Sequence, residues 1–168
     1  IIWAETVKAI RRMNPETTLE TLIPDFQGIT DHLDRIIAVE PEVISHNLET
    51  VRRLTREVRI QAKYDRSLKV LRYLKENGAK RTKSGIMLGL GEKESEVLET
   101  LEDLRKNKVE VVTLGQYLQP SKKHLPVREF ILPDTFDKYR EIGLNMGFRH
   151  VESGALVRSS YKAHKHID

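Results

Sequence analysis

The chain has 168 residues, 39% of them hydrophobic and 32% charged, with 29 basic against 25 acidic side chains and a formal net charge of +4. That composition describes one globular domain long enough to bury a core, and it excludes disordered and fibrous classes. With a mean hydropathy of −0.48 and no apolar run near the roughly 18 residues of a membrane span, no membrane partner is expected. The dispersed basic excess leaves nucleic acid possible without implying it, so no nucleic-acid partner is expected; residues 1–20 show no charged-then-apolar leader pattern, and a cytoplasmic location is expected.

In chain order, Trp3, Val7 and Ile10 fall at i, i+4, i+7, the spacing of a helix face. The sequence therefore opens inside a helix, predicted over 2–13, and is read as a piece of something longer. The β-branched run 18–23, bounded by Pro24, predicts a first strand. Ile29, Leu33, Ile36 and Ile37 predict a helix that Pro41 ends, and Val43 to Asn47 a second strand. The stretch 48–63 holds Arg52, Arg53, Arg56 and Arg59 among few apolar residues and has no clear periodicity; a solvated helix face or an anion site both fit it. Asp65 is expected to cap a helix carrying Leu68, Leu71 and Leu74 that closes at Asn77-Gly78.

A third strand runs into Gly85, Gly89, Gly91 and Glu92, with Glu92 starting the helix of Val97, Leu98, Leu101 and Leu104. The glycines suit a nucleoside lying on bare backbone; they equally suit a tight, closely packed turn. The spacing is neither a dinucleotide fingerprint nor a P-loop. Val109 to Leu114 reads as a buried parallel strand. A loop with three prolines follows from Gln119 to Pro133, then a helix capped by Asp134, a short strand at 148–151 and a polar tail to Asp168.

Strand and helix alternate, so the fold class is α/β with a parallel sheet, closed as a barrel or open in layers. In either form function gathers where the strands end. That rule brings Pro24-Asp25, His46-Asn47, Glu49, Gly89 to Glu92 and Gln116-Tyr117 onto one rim. In the tail, Arg158-Ser159-Ser160-Tyr161 fits neither helix nor strand, and a disordered terminus is its plain alternative. His164 and His166 read as part of a solvated tail. Cysteine is absent, which excludes disulfides and thiolate metal sites within these residues.

Seven phrases occur in one order: Leu22-Ile23-Pro24-Asp25-Phe26, His46-Asn47-Leu48-Glu49-Thr50-Val51, Tyr64-Asp65-Arg66-Ser67-Leu68, Thr82-Lys83-Ser84-Gly85, Gly89-Leu90-Gly91-Glu92, Leu114 to Ser121, and Val157-Arg158-Ser159-Ser160-Tyr161. Together they resemble the lipoyl synthase family of radical S-adenosylmethionine enzymes. The resemblance implies part of a (β/α)6 partial TIM barrel over 1–154, followed by a tail over 155–168. It implies sulfur insertion at C6 and C8 of a protein-bound octanoyl chain, using S-adenosylmethionine and two [4Fe-4S] clusters, the second of which is consumed as sulfur donor.

The implied cofactor contacts are Asn47, Glu49, Arg66, Gly89, Gly91, Glu92 and Gln116, and the implied iron ligand is Ser160, with Ser159 as the alternative. No residue is assigned a catalytic role with certainty. Implied partners are octanoylated carrier domains, namely the 2-oxoacid dehydrogenase E2 and glycine cleavage H proteins, and an electron donor such as flavodoxin or ferredoxin. The family's six cluster cysteines are missing, so the chain is expected to be a C-terminal portion, inactive alone, with an open sheet edge that favours self-association. Other readings are another sulfur-inserting radical enzyme, such as biotin synthase, and a non-catalytic basic module for nucleotide or nucleic acid.

Overall fold

The computed structural model describes residues 2–167. Its elements run α1 (Ile2–Met13), β1 (Glu20–Leu22), α2 (Thr30–Ile37), β2 (Val43–Ser45), α3 (Thr55–Val58), α4 (Tyr64–Glu76), β3 (Thr82–Leu88), α5 (Glu94–Lys106), β4 (Val111–Gln116), α6 (Pro133–Asn145) and β5 (His150–Gly154). The five strands form one parallel sheet in the order β1-β2-β3-β4-β5. A strand order that never doubles back is the wall of a β/α barrel; a doubly wound layer reverses at its switch point.

Alternation along each strand divides the sheet into two faces. Ile86, Leu88, Val112, Leu114 and Val151 pack with Leu71, Leu101, Leu104 and Phe136 in the main core between sheet and helices. Ile44, Leu33, Ile36, Val70 and Leu74 make a second cluster under α2 and α4. Lys83, Gly85, Met87, Thr113 and Gly115 alternate with these residues and point to the concave face. That face is where the polar chemistry lies.

The expected elements are present, with corrections at their ends. The helix after the basic stretch begins at Tyr64, because Asp65 turns sideways to pair with Arg52 at 2.6 Å and caps nothing. Pro133, with φ suited to a first turn, starts α6 ahead of Asp134. Glu92 precedes α5; the start of that helix is held by Glu96, whose carboxylate accepts from the Lys93 N–H at 2.8 Å. The last strand continues to Gly154, and the tail is folded. On the outer side of β1, the Trp3 indole donates to the Leu22 carbonyl at 3.1 Å, and an apolar groove of about 280 Å³ separates the two elements. No helix among the described residues is long and apolar enough to cross a membrane.

Candidate functional site

The site is built where β2 loses and regains its partner. His46 still pairs with Lys83, but regular pairing resumes only at Glu49, whose N–H donates to Gly85 O at 2.9 Å and whose carbonyl accepts from Met87 N at 2.8 Å. The two residues between are pushed out of register, and Glu49 takes the left-handed φ of +66°. Such local departures re-aim side chains at strand ends. Here the Asn47 side chain is aimed over Gly85. Its amide donates to Glu49 Oε1 at 3.2 Å, while its Oδ1 is buried with no partner among the described residues.

Gly85 makes the room for that oxygen. A Cβ at this position would sit 2.7 Å from Thr113 Oγ1 and 3.1 Å from Asn47 Oδ1. The absent side chain thus leaves a small cradle lined by an orphaned acceptor, a hydroxyl and a carboxylate. Ribose hydroxyls and an ammonium group are the donors this set would satisfy. The residues therefore fit part of a nucleoside bearing an amino-acid tail, and Asn47 and Glu49 would hold it.

The glycine turn has a different job. Gly89 (φ +100°) lies directly beneath the Gln116 amide and the Glu129 carbonyl. Gln116 Nε2 donates to Glu129 O at 3.0 Å, and its Oε1 accepts from Ile131 N at 2.9 Å, so this side chain pins the proline-rich loop over the turn. Glu92 braces the turn from below, accepting from Gly89 N at 2.5 Å and Leu90 N at 2.9 Å. Gly91 stays exposed beside Arg128. Close packing, the plainer of the two sequence readings, describes Gly89, Gln116 and Glu92 in this state of the molecule.

Beside Asn47 opens a cleft of about 870 Å³, lined by Pro24 to Gln27, Arg59 to Ala62, and Arg66. Arg59, half-buried, donates to the carbonyls of Asn47 and Leu48, tying the cleft to the cradle. Arg66 pairs with Asp25 at 2.6 Å. Burial alone would raise the Asp25 pKa, but the Gln27 N–H and the Arg66 guanidinium outweigh it and hold the carboxyl below its usual range. Two arginines of the basic stretch are paired with carboxylates in the same way. Arg52 pairs with Asp65 and Asp103 and lies over the Tyr64 ring, and Arg53 forks onto Glu96.

His46 carries a pH signature. Buried, its ring joins the Ile23 carbonyl at 2.9 Å and Ser67 Oγ at 2.8 Å, and burial pushes its pKa below 6.5. The folded ring is therefore neutral where the unfolded one takes a proton. Its contribution to stability is intact above about pH 6.5 and declines as the pH falls below that value. Urea denaturation should give a lower midpoint at about pH 5 than at about pH 7.5, and His46→Gln should shrink the difference; an equal difference in the variant would contradict this origin.

The tail closes the concave face from below. Val157 and its carbonyl lie against Gly115, and Ser159 O meets Lys83. Ser159 is half-buried and Ser160 exposed, and neither hydroxyl has a hydrogen-bond partner among the described residues. The chain supplies no thiolate, so it has no cysteine with which to hold an iron-sulfur cluster; the serine oxygens are among the donors the tail offers. His166 is buried, contrary to a solvated tail. Sequence reasoning passed over Lys83 and Glu20, and it placed Arg59 only within the basic run. The signal for Lys83 was a lone cation inside an otherwise uncharged strand.

A β/α-barrel wall with a small polar cradle at its strand ends suits a radical enzyme core, and known proteins agree. The family model described as the Radical SAM superfamily matches residues 2–104, and the chain belongs to that superfamily. It is 77% identical over its whole length to the lipoyl synthase of Christiangramia forsetii, covering 57% of that protein. It is equally 77% identical, over 99% of its length, to the mitochondrial lipoyl synthase of Nematostella vectensis, again covering 57%. The chain thus spans a little over half the length of the curated relatives it matches. Among solved structures, methylornithine synthase overlays with a TM-score of 0.67 at 17% identity, over 94% of this chain and 53% of that one, which shows the fold alone.

Proposed function

We propose that the chain forms one wall of the S-adenosylmethionine site of a lipoyl synthase, the enzyme that inserts two sulfur atoms into a protein-bound octanoyl chain. The observation that carries this reading is the 77% identity to proteins of that name across the whole chain. When bound, S-adenosylmethionine and the clusters supply hydrogen abstraction and sulfur. This chain's residues bind and orient: Asn47 Oδ1 and the Glu49 carboxylate accept from the ligand's hydroxyl and ammonium groups, and Gly85 keeps the space free. Arg66, Gly89, Gly91, Glu92 and Gln116 support the site by holding the cleft and the loop around it. Ser160, with Ser159 beside it, offers the serine oxygen to iron.

The barrel wall is assigned to 1–154 and the serine tail to 155–168. The substrates are octanoylated carrier domains, with the E2 and H proteins as the particular partners and a flavodoxin or ferredoxin as reductant, in the cytoplasm. The pairing of Arg52 and Arg53 with carboxylates lowers the positive charge that the basic stretch offers a nucleic acid. The test is turnover by the full-length protein on an octanoylated carrier domain with S-adenosylmethionine and reductant. Mass spectrometry should show the gain of two sulfur atoms on the carrier, and an unchanged octanoyl group would overturn the reading.

Asn47→Ala separates binding from folding. Removing the orphaned acceptor should leave stability unchanged or higher by up to about 1 kcal/mol, while S-adenosylmethionine affinity falls roughly tenfold or more. Calorimetric titration and thermal melting check the two halves of that expectation.

A further inference from the structure

Two buried cations, Lys83 and Arg81, fasten the tail to the sheet. Lys83, on the concave face of β3, is among the largest fully buried side chains of the protein. Its Nζ donates to Glu20 Oε2 at 2.9 Å, to Ser159 O at 2.5 Å and to His166 Nδ1 at 3.1 Å. All three ammonium protons are therefore used, one on β1 and two on the tail. The other Glu20 oxygen accepts from Ser45 Oγ at 2.5 Å, so the counter-charge is itself fixed. Arg81 donates to the His166 carbonyl.

We propose that Lys83 is a positioning residue that clasps the tail at Ser159 and His166 and thereby sets where the Ser160 hydroxyl stands. The inference rests on the reading of Ser160 as an iron ligand. Ser159 O belongs to the peptide that joins the two serines, so fixing it fixes one end of Ser160 directly. His166 secures the other end of the segment, whose turns close through Ala163 N to Ser160 O and Lys165 N to Lys162 O. Between two anchors, the exposed Ser160 is presented with its hydroxyl unbonded. Burial beside Lys83 keeps His166 neutral, with its pKa down at about 4, so Nδ1 remains the acceptor that the clasp needs.

The test uses the full-length protein with its clusters reconstituted, carrying Lys83→Met together with Glu20→Gln so that no charge is left buried alone. Hydrogen exchange of residues 157–166 should quicken at least tenfold, and the Mössbauer spectrum of the serine-linked iron should change to that of Ser160→Ala. Unchanged exchange overturns the clasp. Faster exchange with an unaltered spectrum, while Ser160→Ala does alter it, overturns the positioning role. An unaltered spectrum in Ser160→Ala itself sinks the iron-ligand reading, and the positioning role with it, whatever Lys83 does to the tail. Should the double variant fail to fold, His166→Leu removes the ring nitrogen that Lys83 holds and leaves β3 and the Arg81 bond to the residue 166 carbonyl intact. Faster exchange there, with a shifted spectrum, supports the clasp, and protection equal to wild type overturns it.

Discussion

Gly89→Ala should be among the most destabilising single substitutions in the glycine stretch, lowering stability on the order of 3 kcal/mol. Two costs add. The φ of +100° is one that an L side chain adopts only with strain, worth about 1–2 kcal/mol. The new methyl would also lie within the van der Waals radius of the Gln116 amide and the Glu129 carbonyl, an overlap typically worth about 1–3 kcal/mol. Gln116 cannot swing away freely, because both ends of its amide bond the 129–131 backbone. The loop must lift instead, and it uncovers the main core at Leu125, Val127 and Ile131. For a chain of this size the melting temperature should drop by roughly 10 °C. A shift of only about 1–2 °C would mean that the turn is open and that Gln116 is free to meet a ligand.

Gly115→Ala should act on the other face and in another way. Its φ is ordinary, but a Cβ would collide with the Val157 carbonyl, which is backbone and cannot rotate aside. β4 lies between β3 and β5 and is fixed by both ladders, so the tail is the part that yields. The expected result is a loss of about 1–3 kcal/mol, with proteolysis after residue 154 at least tenfold faster while the sheet stays folded. A tail that remains protected in this variant would show that it is held elsewhere than at the Gly115 contact.

These two glycines show what was legible in the sequence and what was not. The order of strands and helices follows from apolar periodicity, because each helix buries one face on the sheet and the pattern records that burial directly. Ends were less legible: Asp65 and Asp134 look like caps in isolation, yet the first is drawn off by Arg52 and the second is pre-empted by Pro133. The choice of barrel wall over layered sheet needs strand order, which no local pattern holds. At the candidate site, the place of Asn47 and Glu49 at a strand end is legible in the sequence. Their relation to Gly85 depends on the lapse in β2 pairing, a contact between distant segments. The concave network of Lys83, Glu20, His166 and Ser159 joins residues up to 146 positions apart in number, as His166 and Glu20 show. The arginine stretch resembles a free basic surface until its carboxylate partners, contributed mostly by other elements, are in view.

The cradle at Gly85 is the centre of the functional account, and filling it is the direct test. Gly85→Ala places a methyl 3.1 Å from Asn47 Oδ1, the end of a flexible side chain, and 2.7 Å from Thr113 Oγ1, which must change rotamer to make room, so the fold should persist with a melting temperature lowered by about 5 °C. Titration of the full-length protein with S-adenosylmethionine should then show a Kd raised at least tenfold, about 1.4 kcal/mol or more of lost binding. A variant that folds normally and binds S-adenosylmethionine as tightly as wild type would contradict the assignment of this wall to the ligand.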